Sequence, residues 1–411
     1  MTLVTSHDFA SASATGNDWR EVCCRLLEQL EPLRQQKEPY NLGFLYVTDF
    51  LSLDVENILN LIRSVTGVEN WVGATGLGIC ASGESFVDIP AASVMLARFP
   101  EQAFQIFPAT DLTLSGARES IEPWMEKRDP MLTLVHGDPM ATAEPMQVMA
   151  ELERLTGGFL AGGLCSSRRE HVLISGQPQQ GGIGGVVFSS DVPVVSALTQ
   201  GCAPLGIIHT ITGVNGDVIE TLDGLPAFEV FTEDLKAMAL AMTDHNPACE
   251  KIREAIIHDD MSGLEDDVIS LFRGEVHVAF PVTGSDQRDY MVRNIAGLDP
   301  DTGWMALAHP VELGQQIVFV HRDDRTVRAD LTRALSDLRE RVIRDQGKFA
   351  PKGAVYISCV ARAMADFGVK GGEMQILKDI LGDVPLAGFY ANGEISNRRL
   401  YGYSGVLLVF L

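Results

Sequence analysis

The run Gly43-Phe44-Leu45-Tyr46-Val47, followed later by Trp71-Val72-Gly73-Ala74-Thr75-Gly76, sets the expectation for the fold. The first run is short and apolar, and it reads as a buried strand. Between the two runs, Val55, Ile58, Leu59, Ile62 and Val65 recur at the spacing of one helix face. Gly67 stands where that helix should end. The second run re-enters a strand through glycine. Strand, helix, glycine turn and strand form one unit.

The same order returns twice. Leu132-Thr133-Leu134-Val135 reads as a strand, a helix carries Val148, Leu152 and Leu155, and Phe159-Leu160-Ala161-Gly162-Gly163 follows. Near the C-terminus the strand is Ala354 to Val360, the helix carries Met374, Leu377, Ile380 and Leu381, and the turn is Pro385-Leu386-Ala387-Gly388-Phe389. Phe44 to Val72 spans the same interval as Leu132 to Leu160, and Ala354 to Leu386 is slightly longer. This self-similarity predicts duplication. The expected fold class is α+β: mixed β-sheets covered by helices, built from repeated strand–helix–Gly-turn–strand units in two domains.

A chain of 411 residues suggests two or three domains. The expected division is a lead-in and helix over 1–40, a first domain over 41–193 and a second over 194–411. Met1 to Asp18 is rich in Ser, Ala and Thr without the charges or apolar core of a signal, and reads as a disordered lead-in. A net charge of −23 repels phosphate backbones and anionic lipid heads, so neither nucleic acid nor membrane is an expected partner. No apolar stretch reaches the length of a membrane span. The seven cysteines are odd in number, scattered and free of any CxxC pair, which points to free thiols in a reducing cytoplasm rather than to disulfides or zinc. No metal or other cofactor is expected.

Gly73-Ala74-Thr75-Gly76-Leu77-Gly78 has the wrong glycine order for a dinucleotide loop and leads toward a strand, so its glycines read as packing devices. Asp299 to Gly303 lacks the later ligands of a calcium loop. The acidic stretch around His258, Asp259, Asp260, Glu265, Asp266 and Asp267 reads as solvated. The third copy is different. Arg362 follows an apolar strand and Glu394 follows Tyr390-Ala391-Asn392-Gly393, so both belong at strand ends, the usual ligand position in α/β sheets. An arginine there suits a carboxylate, while Glu394 and Asn392 suit an ammonium or amide. The competing reading is an Arg362–Glu394 ion pair. Cys359 reads as a buried thiol, with a nucleophile as its rival reading, and Arg293-Asn294 reads as a further binding pair or as surface.

Seven segments together resemble the FIST family, whose N-terminal and C-terminal domains occur in tandem. The N-terminal ones are Val72 to Gly76, Gly137-Asp138-Pro139 and Leu160 to Gly163. The C-terminal ones are Asp223 to Ala227, Val292 to Ile295, Ser358-Cys359-Val360-Ala361-Arg362 and Ala387 to Ile395. The resemblance implies an intracellular sensory module for signal transduction. It would bind a small amino-acid-like ligand and pass its state to a separate partner protein. The expected ligand-binding residues are Arg362, Tyr390, Asn392, Glu394, Cys359 and Arg293, in a cytoplasmic protein that is not an enzyme. Two alternatives stand beside it: an enzyme using Cys359 or Glu394 in the same crevice, and an interaction scaffold with no small ligand.

Overall fold

The computed structural model describes residues 3–35, 38–140, 145–241, 254, 257, 276–282, 290–322, 324–364 and 372–411. The acidic stretch from His258 to Asp267 and Cys249 lie outside them. The fold is α+β, with helices covering mixed sheets. Residues 1–199 and 328–411 form one compact unit, and residues 200–327 form another. The first unit is discontinuous in sequence: the chain leaves it after Thr199 and returns to it from Arg328 onward.

The first unit contains three copies of one element order. Each begins with an outer strand: Phe9–Thr15, Phe104–Thr110 or Val194–Thr199. A helix follows, then a first strand: Leu42–Thr48, Pro130–Gly137 or Gly353–Cys359. After at least one further helix comes a second strand parallel to the first: Trp71–Gly76, Phe159–Leu164 or Leu386–Ala391. A hairpin comes next, and a return strand closes the copy: Ala91–Ala97, Ile183–Ser189 or Gly405–Phe410. Every return strand runs antiparallel between its outer strand and its first strand. The whole second unit is inserted between the outer strand of the third copy and the helix Asp324–Gln346.

This order corrects the expectation for the N-terminus. Phe9 to Thr15 is a buried strand, not a disordered lead-in. The Ser, Ala and Thr of this stretch are small, and small side chains let both faces of the strand pack. Ala10, Ala12 and Ala14 meet the helices Trp19–Leu30 and Val55–Thr66. On the other face Ser11 shares a hydrogen bond with Ser82 at 2.9 Å.

The hairpins are exchanged. The hairpin of the first copy, Gly78–Ala81 with Glu84–Val87, pairs with the second strand of the third copy. That of the second copy, Leu173–Ser175 with Gln177–Gln179, pairs with the second strand of the first. That of the third copy, Glu394–Ser396 with Arg399–Tyr401, pairs with the second strand of the second. The three sheets are thereby tied in a closed cycle. Their inner faces share one core, with Phe44 and Met95, Leu134 and Val186, and Val355 and Leu408 contributed by the three copies. Helices cover each outer face.

One glycine recurs at the same point of every copy. A Cβ on Gly73 would lie 1.8 Å from the Leu45 carbonyl oxygen, one on Gly162 1.9 Å from that of Val135, and one on Gly388 1.7 Å from that of Tyr356. In each case the two residues are register partners across the parallel pair. The glycine lets the second strand close onto the first, as its reading as a packing device requires.

The second unit is built on strands within residues 203–321, with the helix Ala227–Ala241 packed on them through Phe231 and Leu235. In it His209 is clasped at both ring nitrogens, Nδ1 by Asp223 at 2.7 Å and Nε2 by Asp234 at 3.0 Å.

Candidate functional site

The third copy ends its parallel strands in a buried polar cluster. The apolar first strand stops at Cys359, and Arg362 lies in the short helix Val360–Met364 directly after it. Glu373 lies in the first turn of the helix Gly372–Leu381, and Glu394 opens the exchanged hairpin. Arg362 and Glu394 are both fully buried.

Arg362 Nη2 lies 2.5 Å from Glu373 Oε1. Glu373 also accepts hydrogen bonds from the Tyr356 hydroxyl at 3.1 Å and the Ser358 hydroxyl at 3.0 Å. Arg362 Nη1 donates to the Thr199 carbonyl at 3.4 Å. Burial opposes the guanidinium charge, but Glu373, with smaller help from Tyr356, Cys359 and Glu394, outweighs it and raises the Arg362 pKa. Arg362 therefore keeps its charge, with the Glu373 carboxyl directly against it, as a buried cation requires.

Glu394 behaves differently. Burial pushes its carboxyl up to about 8, against hydrogen bonds from Ser404 and weaker pulls from Arg362 and the Cys359 thiol. At neutral pH it is mostly protonated. Its Oε2 accepts from the Ser404 N–H at 3.1 Å and the Ser404 hydroxyl at 2.8 Å. Glu394 Oε1 and Arg362 Nε have no hydrogen-bond partner among the described residues. An unpartnered buried acceptor is costly, and such groups mark places where something else completes the bonding. Cys359 is held as a thiol, pushed up to about 12 by burial and by Glu394. That is the wrong state for a nucleophile.

The hairpin exchange puts this chemistry in relief. Glu394 pairs with Gly163, one residue past the tight glycine of that strand. The residues paired one past the tight glycine in the other two sheets are Leu173 and Ile79. Both are apolar members of the shared core. Ser404 precedes Gly405, which pairs with Ser358. By the same register its counterparts are Ala91 and Gly182. A carboxyl and its hydroxyl donor thus replace an aliphatic residue and an alanine or glycine in one copy alone.

The structure brings Cys359, Arg362 and Glu394 together. The direct partner of Arg362 is Glu373, so the ion pair drawn between Arg362 and Glu394 from their strand-end positions is not the one formed. Tyr390 pairs with Ser358 and lies on the same sheet face as Ser358 and Tyr356, in the cluster with Cys80 and Tyr356 near Glu373, where burial holds its hydroxyl protonated. Asn392 is exposed, and its N–H donates to the Leu164 carbonyl at 2.9 Å. Arg293 belongs to the second unit; its Nη1 donates to the Val292 carbonyl at 2.9 Å, and burial lowers its pKa. Sequence reasoning missed Glu373, Ser404 and Thr199. Glu373 carried a signal: an acid in a first helical turn is well placed to meet a buried cation.

A second buried polar pair lies in the shared core. His136 Nε2 and the Tyr46 hydroxyl are 3.1 Å apart, and His136 Nδ1 has no partner among the described residues. Burial drops the His136 pKa to about 3, so the ring is neutral. Among the described residues no group of three or more His, Cys, Asp or Glu is placed to hold a metal, and no helix is long and apolar enough to cross a membrane.

Comparison with known families decides the relationship. The FIST N domain matches residues 41–225 and the FIST C domain matches residues 248–397. The chain belongs to the FIST family. FIST domains are sensory domains of signalling proteins. Similar curated sequences include the uncharacterized protein MT0656 of Mycobacterium tuberculosis, 26% identical over 354 residues and 83% of each chain. The uncharacterized protein Mb0898c of Mycobacterium bovis is 26% identical over 379 residues and 86% of each chain. In this FIST protein the N domain match begins just before the first strand of the first copy, covers the second copy and the outer strand of the third, and runs into the second unit. The C domain match ends in the exchanged hairpin that carries Glu394.

Proposed function

We propose that this FIST protein is a sensory module whose third copy binds the amino group of a small, amino-acid-like ligand at Glu394 and reports occupancy to a separate cytoplasmic partner protein. One observation carries the reading: Glu394 is fully buried, keeps one carboxyl oxygen without a partner, and occupies a position that is aliphatic in both sister copies. An ammonium donating to that oxygen would pull the Glu394 proton off, since a nearby cation favours the carboxylate. Arg362 is committed to Glu373, so the ligand's own carboxylate finds its donor elsewhere or shares Arg362 Nε. The thiol of Cys359, kept protonated by burial and by Glu394, favours binding over nucleophilic chemistry.

The hairpin provides the output. It is pinned to the second strand of the second copy, so a change at Glu394 is felt in another sheet. The test is calorimetry with a panel of amino acids and small amines in two buffers of different ionisation enthalpy. A ligand that ionises Glu394 releases about one proton near neutral pH, and the release vanishes in Glu394→Gln. Binding that persists in Glu394→Leu with unchanged affinity sinks the assignment.

A further inference from the structure

The outer strands of the three copies treat their outer edges differently. Ser11, Ile106 and Ser196 are equivalent by register: they lie opposite Met95, Val186 and Leu408, which in turn lie opposite Phe44, Leu134 and Val355. In the first copy the edge is filled. The short strand Val4–Thr5 pairs antiparallel with Ser11 and Ala10, and the Ser6 N–H donates to the Phe9 carbonyl at 2.8 Å. The Gln29 and Arg25 side chains donate to the Ser13 and Thr15 carbonyls at 2.9 and 2.7 Å. In the second copy the edge is blunted. The Gln105 amide donates to the Ile106 carbonyl at 2.9 Å, Gln179 accepts from the Ala109 N–H at 2.7 Å, and Pro108 has no N–H to offer. Natural sheets close their edges by such devices, because a bare edge is a template for another strand.

The third copy leaves its edge open. Val194–Thr199 is the last strand of its sheet, and among the described residues no strand pairs with its outer side. The Leu411 N–H bonds the Pro193 carbonyl, so alternation turns the backbone groups of Val194, Ser196 and Leu198 outward. Among the described residues, Arg341 Nη2 donates to the Ser196 carbonyl at 2.9 Å, and no other bond reaches these outward groups. Arg341 is exposed, so its guanidinium stands where the N–H of an added strand would stand and can be displaced by it. Val194 to Leu198 are all half-buried, whereas Phe9 to Ala14 are all buried. The open strand, Val-Val-Ser-Ala-Leu-Thr, carries no charge and no proline that would block pairing.

We propose that this edge is where the partner protein docks, by adding an extended, uncharged segment of β-branched residues antiparallel to Val194–Thr199. The occupant is inferred from the first copy, where Val4–Thr5 does the same at the equivalent residues. Main-chain bonds to Val194, Ser196 and Leu198 supply the affinity. The added side chains lie beside Val194 and Leu198 on one face and Val195 and Ala197 on the other. The strand also ends at the polar cluster: the Thr199 carbonyl accepts from Arg362 Nη1, and the Thr199 hydroxyl donates to Asp330 at 2.8 Å. The inference rests on the signalling reading for its partner, but the open edge stands whatever ligand Glu394 takes.

The test uses the full chain without ligand and a dye-labelled heptapeptide, alternating valine and threonine closed by one glutamate and one lysine. Saturable binding is expected by fluorescence anisotropy. A peptide with the same side chains but N-methylated at every valine and threonine should bind at least about tenfold more weakly, because it has lost its donors. Ser196→Pro removes the outward N–H as Pro108 does in the second copy, and an edge strand tolerates proline there. It should also weaken binding at least about tenfold, with the fold checked by circular dichroism. Arg341→Ala, which uncovers the Ser196 carbonyl, leaves binding intact or tightens it. No saturable binding, undiminished binding of the N-methylated peptide, loss of binding in Arg341→Ala, or full binding in Ser196→Pro overturns the assignment. Should Ser196→Pro fail to fold, the N-methylated peptide and Arg341→Ala decide alone. Sedimentation of the chain by itself tests the other occupant: a dimer that Ser196→Pro dissolves would put a second copy on this edge and overturn the partner assignment. None of these outcomes bears on amine binding at Glu394, which calorimetry reads separately.

Discussion

Glu394 lies directly opposite Gly163 in an antiparallel pair that binds the hairpin of the third copy to the sheet of the second. A carboxyl is thus placed at the seam between two copies, fully buried, with its proton held by the low-dielectric surroundings. Its behaviour with pH follows from that placement.

The unfolded chain releases the Glu394 proton near 4.5, and the folded protein releases it near 8. Between these values the folded state binds more protons, so stability falls as pH rises through the window and is flat beyond it. The contribution is on the order of 5 kcal/mol across the whole window. Glu394→Gln removes this slope, and chemical denaturation measured from pH 4 to 9 checks it. A wild-type profile with no excess slope over the variant would show that the carboxyl is ionised in the fold.

His136 has the opposite sign. Its folded value near 3 lies below the unfolded 6.5, so stability rises with pH between them. Replacing His136 by Phe leaves the Tyr46 hydroxyl buried without its partner, at a cost of about 1–3 kcal/mol. Adding Tyr46→Phe should recover part of that loss. A double-mutant cycle in denaturant measures the coupling; strict additivity would mean that the two side chains do not bond.

In the second unit, burial draws the His209 pKa down, but hydrogen bonds to Asp223 and Asp234 outweigh it and leave the pKa raised. The stability from this clasp is complete below the unfolded value near 6.5 and is lost as pH rises through the raised folded value. Asp234→Asn should flatten that part of the profile. Histidine titration followed by NMR, with His209 staying charged above pH 6.5, is the direct check.

The tight glycines test the repeat itself. Gly388→Ala sets a Cβ against the Tyr356 carbonyl, a backbone atom that cannot rotate away. The expected loss is about 3 kcal/mol or more, at the upper end for overpacking. In Gly297→Ala the nearest atom is the Ala306 Cβ at 4.0 Å, and stability should change by less than about 1 kcal/mol. Equal midpoints for the two variants would refute the close approach.

Thiol labelling under native conditions should be fast at exposed Cys24 and slow at Cys359, whose thiol is pushed up to about 12. Cys23 and Cys165, raised by burial to about 11 and about 12, should also be slow. Rapid modification of Cys359 at neutral pH, read by peptide mapping, would revive a nucleophilic role.

The strand–helix–glycine unit was legible because its signals are local. Apolar runs such as Phe44 to Val47 and the face from Val55 to Ile62 depend only on near neighbours, and a glycine forced by close backbone approach stands out at Gly73, Gly162 and Gly388 alike. The unequal polarity of the third copy was also written in the residues. The exact correspondence of copies was not: Leu132 was matched to Phe44 by spacing, whereas the register aligns Leu134 with Phe44, because apolar residues two apart in a strand share a face. The strand Phe9 to Thr15 was hidden for a related reason, since Ala and Ser declare burial only when a partner surface exists.

By itself, then, the sequence determined the α+β class, the threefold recurrence, the family and the concentration of polar chemistry around Cys359, Arg362 and Glu394. Tertiary structure alone decided which hairpin enters which sheet, that Glu373 rather than Glu394 takes the guanidinium, and that Asn392 faces solvent while Glu394 does not. The reason is one of range. Periodicity and turn chemistry act over a few residues, whereas the state of a buried carboxyl depends on desolvation and on partners such as Ser404 and Cys359 that only the closed cycle of sheets brings to its side.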